Sequence, residues 1–216
     1  MQRANTDSAL CLQAEEFQWQ EEGLTDAHGY ILPTLARWLA TARVKTVFDL
    51  GCGNGALTHA LAGRGFQMTG LDNSLSGLAI AARHYRESEF IRADLETPLP
   101  ETLHHSFDAV IAVEVIEHLL LPRNLFRRAR EALRPGGRLI VTTPYHGLLK
   151  NLALALSNKF DDHWHPLRDY GHVKFFSKKT LTRLFAEQNF EVQRISRVGR
   201  IPALAKSMIV QGSMLP

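Results

Sequence analysis

Val47-Phe48-Asp49-Leu50-Gly51-Cys52-Gly53-Asn54-Gly55 decides how the rest of this chain is read. A short, mostly apolar run suits a strand, and the glycines after it suit a tight turn into the helix-like stretch Ala56–Arg64. Such a turn lets the backbone approach a ligand closely, while the helix N-terminus aims unpaired N–H groups at it. Working outward, Asp72 ends the next strand-like run, Phe66–Asp72, and Asp94 follows a third, Glu89–Ala93. An acid about 20 residues beyond a glycine turn, at the end of the second strand, is placed to accept both ribose hydroxyls of a nucleoside. The spacing Gly51-x-Gly53-x-Gly55 is tighter than the dinucleotide fingerprint.

Strand-like and helix-like runs alternate along the chain, which predicts an α/β fold with a doubly wound, mostly parallel sheet. Later strand candidates are Phe107–Val113, Arg138–Thr143, Phe190–Val198 and Lys206–Gln211. Helix candidates are Ser74–Tyr85, Pro122–Leu133 closed by Arg134-Pro135-Gly136-Gly137, and Lys178–Gln188 with Ser177 as N-cap. Residues 1–45 read differently: polar residues and Trp19 come first, then the amphipathic stretch Tyr30–Ala42. We expect an N-terminal helical cap over 1–45 and one catalytic domain over 46–216, with a lid-like insertion at 145–176.

Composition narrows the function classes. At 216 residues the chain suits a single domain with a full core. The net charge of +3, from 25 basic and 22 acidic residues, permits anionic partners without requiring nucleic acid. Cys11 and Cys52 supply neither a disulfide framework nor zinc-ligand spacing, and with the polar start Met1–Ser8 they suggest a cytoplasmic setting. No apolar run approaches the ~20 residues of a membrane span.

The glycine turn together with Asp49, Asp72 and Asp94 resembles motifs I to III of the class I S-adenosylmethionine-dependent methyltransferases. That resemblance implies a Rossmann-like, seven-stranded sheet and S-adenosylmethionine as cofactor. It places Asp49 near the methionine end and Gly51, Gly53 and Gly55 around that moiety. Asp72 with Asn73 falls at the ribose, Asp94 with Leu95 at the adenine, and Val113 at the end of the fourth strand. Cys52, inside the turn, belongs to the same contact set, as a small residue packed under the loop.

Glu114-Val115-Ile116-Glu117-His118 follows the fourth strand directly. Positions i, i+3 and i+4 share one face of a helical turn, so two carboxylates and an imidazole would converge there on a divalent ion. The string is similar to that of ubiquinone-pathway O-methyltransferases. It also looks like that of small-RNA 3′-end 2′-O-methyltransferases, in which both glutamates and the histidine hold a metal and a further histidine comes from beyond the fifth strand. His172 matches that location, with His163 and His165 as alternatives. The expected ligand set is Glu114, Glu117, His118 and His172, for Mg²⁺, Mn²⁺ or Zn²⁺. Without a metal, His118 is the general base, assisted by Glu114.

Gly147–Phe160 inserts after the fifth strand, where acceptors enter this fold, and Leu148, Leu149, Leu152 and Leu156 form an apolar stripe. It reads as a lid that could touch lipid, or as a helix packed on the body. Arg127, Arg128, Arg130 and Arg134 share a helix that must also bury Leu125, Phe126, Ala129 and Leu133, so a solvated face is the plainer account. The leading expectation is O-methylation of a small molecule. The alternatives are an RNA 2′-O-methyltransferase, disfavoured by the mild charge, and a noncatalytic cofactor-binding protein; DNA is not expected as a partner, and oligomeric state is not legible.

Overall fold

In the computed structural model, which describes residues 18–164 and 167–215, the decisive apolar run becomes β1 (Thr46–Leu50). Val47 and Phe48 point to opposite sheet faces and both are fully buried, which only a central strand covered on both sides allows. Its parallel neighbours are β2 (Gln67–Asp72) and β4 (Phe107–Val113). Beyond them lie β3 (Glu89–Arg92) beside β2 and β5 (Leu133–Pro144) beside β4, again parallel. β7 (Ser207–Met214) then inserts antiparallel between β5 and β6 (Phe190–Val198). The order β3-β2-β1-β4-β5-β7-β6 reverses direction at β1 and β4. Open α/β sheets bind ligands in the crevice at such a switch point, beyond the carboxyl ends of the strands.

Two cores result, one on each face. Helices α1 (Asp26–Thr41) and α2 (Ala56–Ala62) cover Val47, Ala109, Ile111 and Ile209 with Ile31, Leu35, Leu39, Leu57 and Leu61. Helix α3 (Leu75–His84) follows β2, and its N-cap Ser74 accepts the Gly77 N–H at 3.1 Å. On the other face, α4 (Arg123–Ala132) brings Leu125, Phe126 and Ala129 onto Phe48, Val110 and Leu139. The insertion supplies α5 (Leu148–Leu156) and the short α6 (Phe160–Trp164). Helix α7 (Lys178–Glu187) is capped by Ser177, as its sequence predicts, and sets Phe185 edge-on to Phe126 at 5.0 Å. Helix α1 is therefore a working part of the sheet's cover.

Some boundaries differ from the sequence reading. Helix α4 stops at Ala132, and Leu133 already pairs with Phe107, so Arg134–Gly137 form an irregularity within β5 instead of a break before it. β7 runs on to Met214 because β6 pairs along its whole length. Asp94 lies two residues past the end of β3. The arginine patch is largely committed: Arg134 pairs with Asp108 at 2.7 Å, and the buried Arg128 with Glu131 at 2.8 Å. Among the described residues no helix is long and apolar enough to cross a membrane.

Candidate active site

The turn after β1 is built from backbone conformations that side chains resist. Gly51, Gly53 and Gly55 all have positive φ, at 82°, 55° and 76°. A Cβ on Gly51 would lie 2.5 Å from Val115 Cγ2, and one on Gly53 would collide with the Trp19 indole. Glycine is thus required twice over, by conformation and by space. Asp72 braces the turn from the end of β2. Its carboxylate accepts the Gly53 N–H and the Ser74 N–H, each at 2.8 Å. Asn54 ties the turn to the N-terminal segment by donating to the carbonyls of Glu21 and Gly23, each at 3.0 Å.

The other residues of this set take distinct positions. Asp49 is buried and accepts from Thr58 Oγ1 at 2.7 Å; burial pushes its carboxyl up to about 7 despite that bond, and the neighbouring Asp72 adds to the rise. Cys52 is buried under the turn against Gly70, so its side chain packs and its thiol is pushed up by burial. Leu95 and Val113 are buried, whereas Asn73 and Asp94 face solvent, and Asp94 holds the Glu96 N–H at 2.8 Å.

The turn after β4 assembles the second cluster. Only Ile116–His118 is helical, a single 3₁₀ turn, and Glu114 has φ +55°, outside it. The expected one-faced helical spacing of Glu114 with Glu117 and His118 therefore does not form. Glu114 instead turns toward the strands: its carboxylate accepts from Thr142 Oγ1 at 2.8 Å and from Ser207 Oγ at 3.1 Å. The Tyr30 hydroxyl lies 3.4 Å from the same Ser207 Oγ. Burial holds the Glu114 carboxyl at about 7, with these two bonds and the Lys150 charge pulling it down.

Glu117, His118 and His172 do come together. One ligand atom from each lies within 4.8 Å of the others. The chain joins the two segments through main-chain bonds: the Val173 and Lys174 N–H groups donate to the Glu117 carbonyl at 2.8 and 2.9 Å. His118 Nδ1 sits 2.9 Å from the Tyr170 carbonyl and 3.2 Å from that of Gly171. Both neighbours only accept, so Nδ1 carries the proton and Nε2 keeps its lone pair. Burial, reinforced by His118, His163 and Arg168, pushes His172 down to about 4, so it is neutral at pH 7. Glu117 is fully buried, and neither carboxylate oxygen has a hydrogen-bond partner among the described residues. Burial and then the Glu114 charge push its carboxyl well above the usual range. Of the alternative histidines, His163 faces His146 at 5.3 Å, and His165 lies outside the described residues.

A family model described as a methyltransferase domain matches residues 24–195. The chain belongs to the class I S-adenosylmethionine-dependent methyltransferases. It is 31% identical over 144 residues to a ubiquinone biosynthesis O-methyltransferase of Idiomarina loihiensis, covering 65% of this chain and 59% of that one. The like-named protein of Azorhizobium caulinodans is 30% identical over 165 residues, 74% of this chain and 64% of its own. The match thus takes in less than two thirds of either relative's length. In fold the chain is similar to magnesium protoporphyrin IX methyltransferase from Synechocystis PCC 6803, solved with bound SAH, at TM-score 0.65 and 18% identity over 86% of this chain and 82% of that one.

Set against this family, the methyltransferase has site residues that its motifs do not announce. The Trp19 ring packs over Gly53 and Gly77, and the Trp19 main-chain N–H donates to Ser76 Oγ at 2.9 Å. Thr142 and Ser207 hold Glu114 from β5 and β7, and Tyr30 on α1 reaches the Ser207 hydroxyl. Asn54, a polar residue within the glycine-rich turn, is a local sign that another segment is tied down there.

Proposed function

We propose that this methyltransferase moves the cofactor's methyl group to a hydroxyl oxygen of a small molecule, at the face formed by Glu117, His118 and His172. One observation carries the reading: those side chains converge on the turn whose Val115 limits the space over Gly51. The curated relatives' names, O-methyltransferases of ubiquinone biosynthesis, support the same reaction class. Asp72, at the end of β2 beside the glycine turn, would accept from the ribose hydroxyls, and the buried Asp49 would regain its charge beside a cationic methionine end. The left-handed glycine turn at the carboxyl end of β1, with Asp49 and Asp72 beside it, fits the cofactor.

The cofactor, when bound, supplies a methyl group already activated by its sulfonium. What remains for the protein is alignment and an acceptor oxygen relieved of its proton. His118 Nε2 is the available base, a role typically worth about 10²–10⁴-fold. The same lone pair suits a metal: one carboxylate oxygen and two neutral imidazoles fit Zn²⁺ or Mn²⁺ better than Mg²⁺. A divalent ion there would supply Lewis-acid polarisation of the acceptor oxygen. The two uses of Nε2 exclude each other. Methyl transfer from labelled cofactor should appear in small-molecule extracts as a methyl ether and not in pooled RNA. Label in RNA alone, or none despite cofactor binding, would overturn the reading.

The insertion adds a surface. Leu148, Leu152 and Leu156 lie at i, i+4 and i+8 and are 82%, 49% and 81% exposed, so they contribute little to the core. We assign this stripe to contact with a lipid surface at the acceptor entrance. Replacing Leu148, Leu149, Leu152 and Leu156 by serine should abolish flotation with phospholipid vesicles, leaving thermal stability and cofactor affinity nearly unchanged. Loss of fold and cofactor binding together would show that the stripe is core.

A further inference from the structure

Helix α5 turns Leu148, Leu149, Leu152 and Leu156 outward and its lysine inward, the reverse of an ordinary surface helix. Lys150 is only 9% exposed. Its Nζ donates to the Lys206 carbonyl at 3.2 Å, its one hydrogen bond among the described residues. That carbonyl already accepts the Tyr145 N–H at 3.0 Å. An ammonium has three donors, so two of these are unspent in a buried position. Glu114 is close enough to interact electrostatically with Lys150, yet no ion pair joins them, and both carboxylate oxygens of Glu114 already accept from Thr142 and Ser207. A buried cation with unused donors calls for an oxygen that this set of side chains does not provide.

The charges around Lys150 point to the kind of oxygen. Arg200 acts on Lys150, and Arg168 acts on both His118 and His172. Lys206 Nζ stands 5.2 Å from the centre of the Tyr30 ring. The buried Lys150 ammonium, with Lys206 nearby just ahead of β7, therefore favours an anionic group.

We propose that Lys150 is an acceptor-binding residue whose free N–H groups receive an oxyanion of the methyl acceptor, so that the acceptor is a hydroxylated molecule also bearing a carboxylate or comparable oxyanion. This rests on the reading of the site as an O-methyl transfer centre and names its substrate class. The plainer role for Lys150 is to pin α5 to the edge of β7 through the Lys206 carbonyl, and the test separates the two.

Calorimetry on the full chain saturated with S-adenosylhomocysteine would compare 3,4-dihydroxybenzoate with catechol, which differ by one carboxylate. Wild type should bind the benzoate at least about tenfold more tightly, the scale of one charge-assisted hydrogen bond. Lys150→Met should erase that preference, and Lys150→Arg should keep most of it. Hydrogen exchange over residues 147–160 reports whether α5 stays seated. If Lys150→Met loosens the helix, Lys150→Arg decides, and loss of the preference there with α5 seated counts against the proposal. Equal affinities in wild type, no benzoate binding, or a preference that survives Lys150→Met would each overturn it. Failure of the O-methyl reading shows separately, as no labelled product from either compound while the binding preference stands.

Discussion

Chelation should abolish methyl transfer, and Mn²⁺ or Zn²⁺ returned stepwise should restore it. The expectation follows from Glu117, whose fully buried carboxylate has no hydrogen-bond partner among the described residues and stands beside a second acid, Glu114. Two neighbouring carboxyls in a dry site repel unless a proton or a cation offsets them. With one ligand atom each from Glu117, His118 and His172 within 4.8 Å of the others, a cation has its ligands in place. The same ion should raise the melting temperature, because ligands that bind only the native state stabilise it, by about 2.7 kcal/mol at a hundredfold excess over Kd. His118→Ala should lower turnover by about 10²-fold or more and remove the metal dependence, with cofactor affinity unchanged. Full activity in excess chelator, with no metal by elemental analysis and no thermal shift, would leave His118 as a simple base.

Asp72→Ala should weaken S-adenosylhomocysteine binding by about 1.5–3 kcal/mol, the scale of hydrogen bonds to a charged group. That corresponds to roughly 10- to 150-fold in Kd. Asp72 would act twice: beyond the ribose contact proposed for it, it accepts the Gly53 and Ser74 N–H groups that shape the turn. Asp72→Asn, which keeps one acceptor oxygen, should lose less than the alanine variant. Calorimetry decides both, and tighter binding of NAD than of S-adenosylhomocysteine by the wild type would overturn the cofactor assignment at these residues.

The fold was legible because its signals are local. Val47 and Phe48 read as part of a mostly apolar strand, and the sheet buries them on both faces. The edges of β5 and β7 were not legible, since Leu133 and Met214 become strand only by pairing with Phe107 and Phe190. Proline and glycine at 135–137 signal a stop, and the partner strand overrides it.

By itself, the sequence determined the doubly wound sheet, the glycine turn with its three acids, and the presence of ligand-type residues after β4. These depend on apolar periodicity and on turn chemistry, which act over a few residues and are written in order along the chain. Only the tertiary structure decided which of those residues meet. It chose His172 by binding the 173–174 main chain to the Glu117 carbonyl, and it withdrew Glu114 through a left-handed backbone and two hydroxyls from other strands. It also turned Lys150 inward and the leucines outward. Periodicity records that a helix has two faces; which face the body of the protein covers depends on hydrogen bonds and charges contributed by segments far away in sequence.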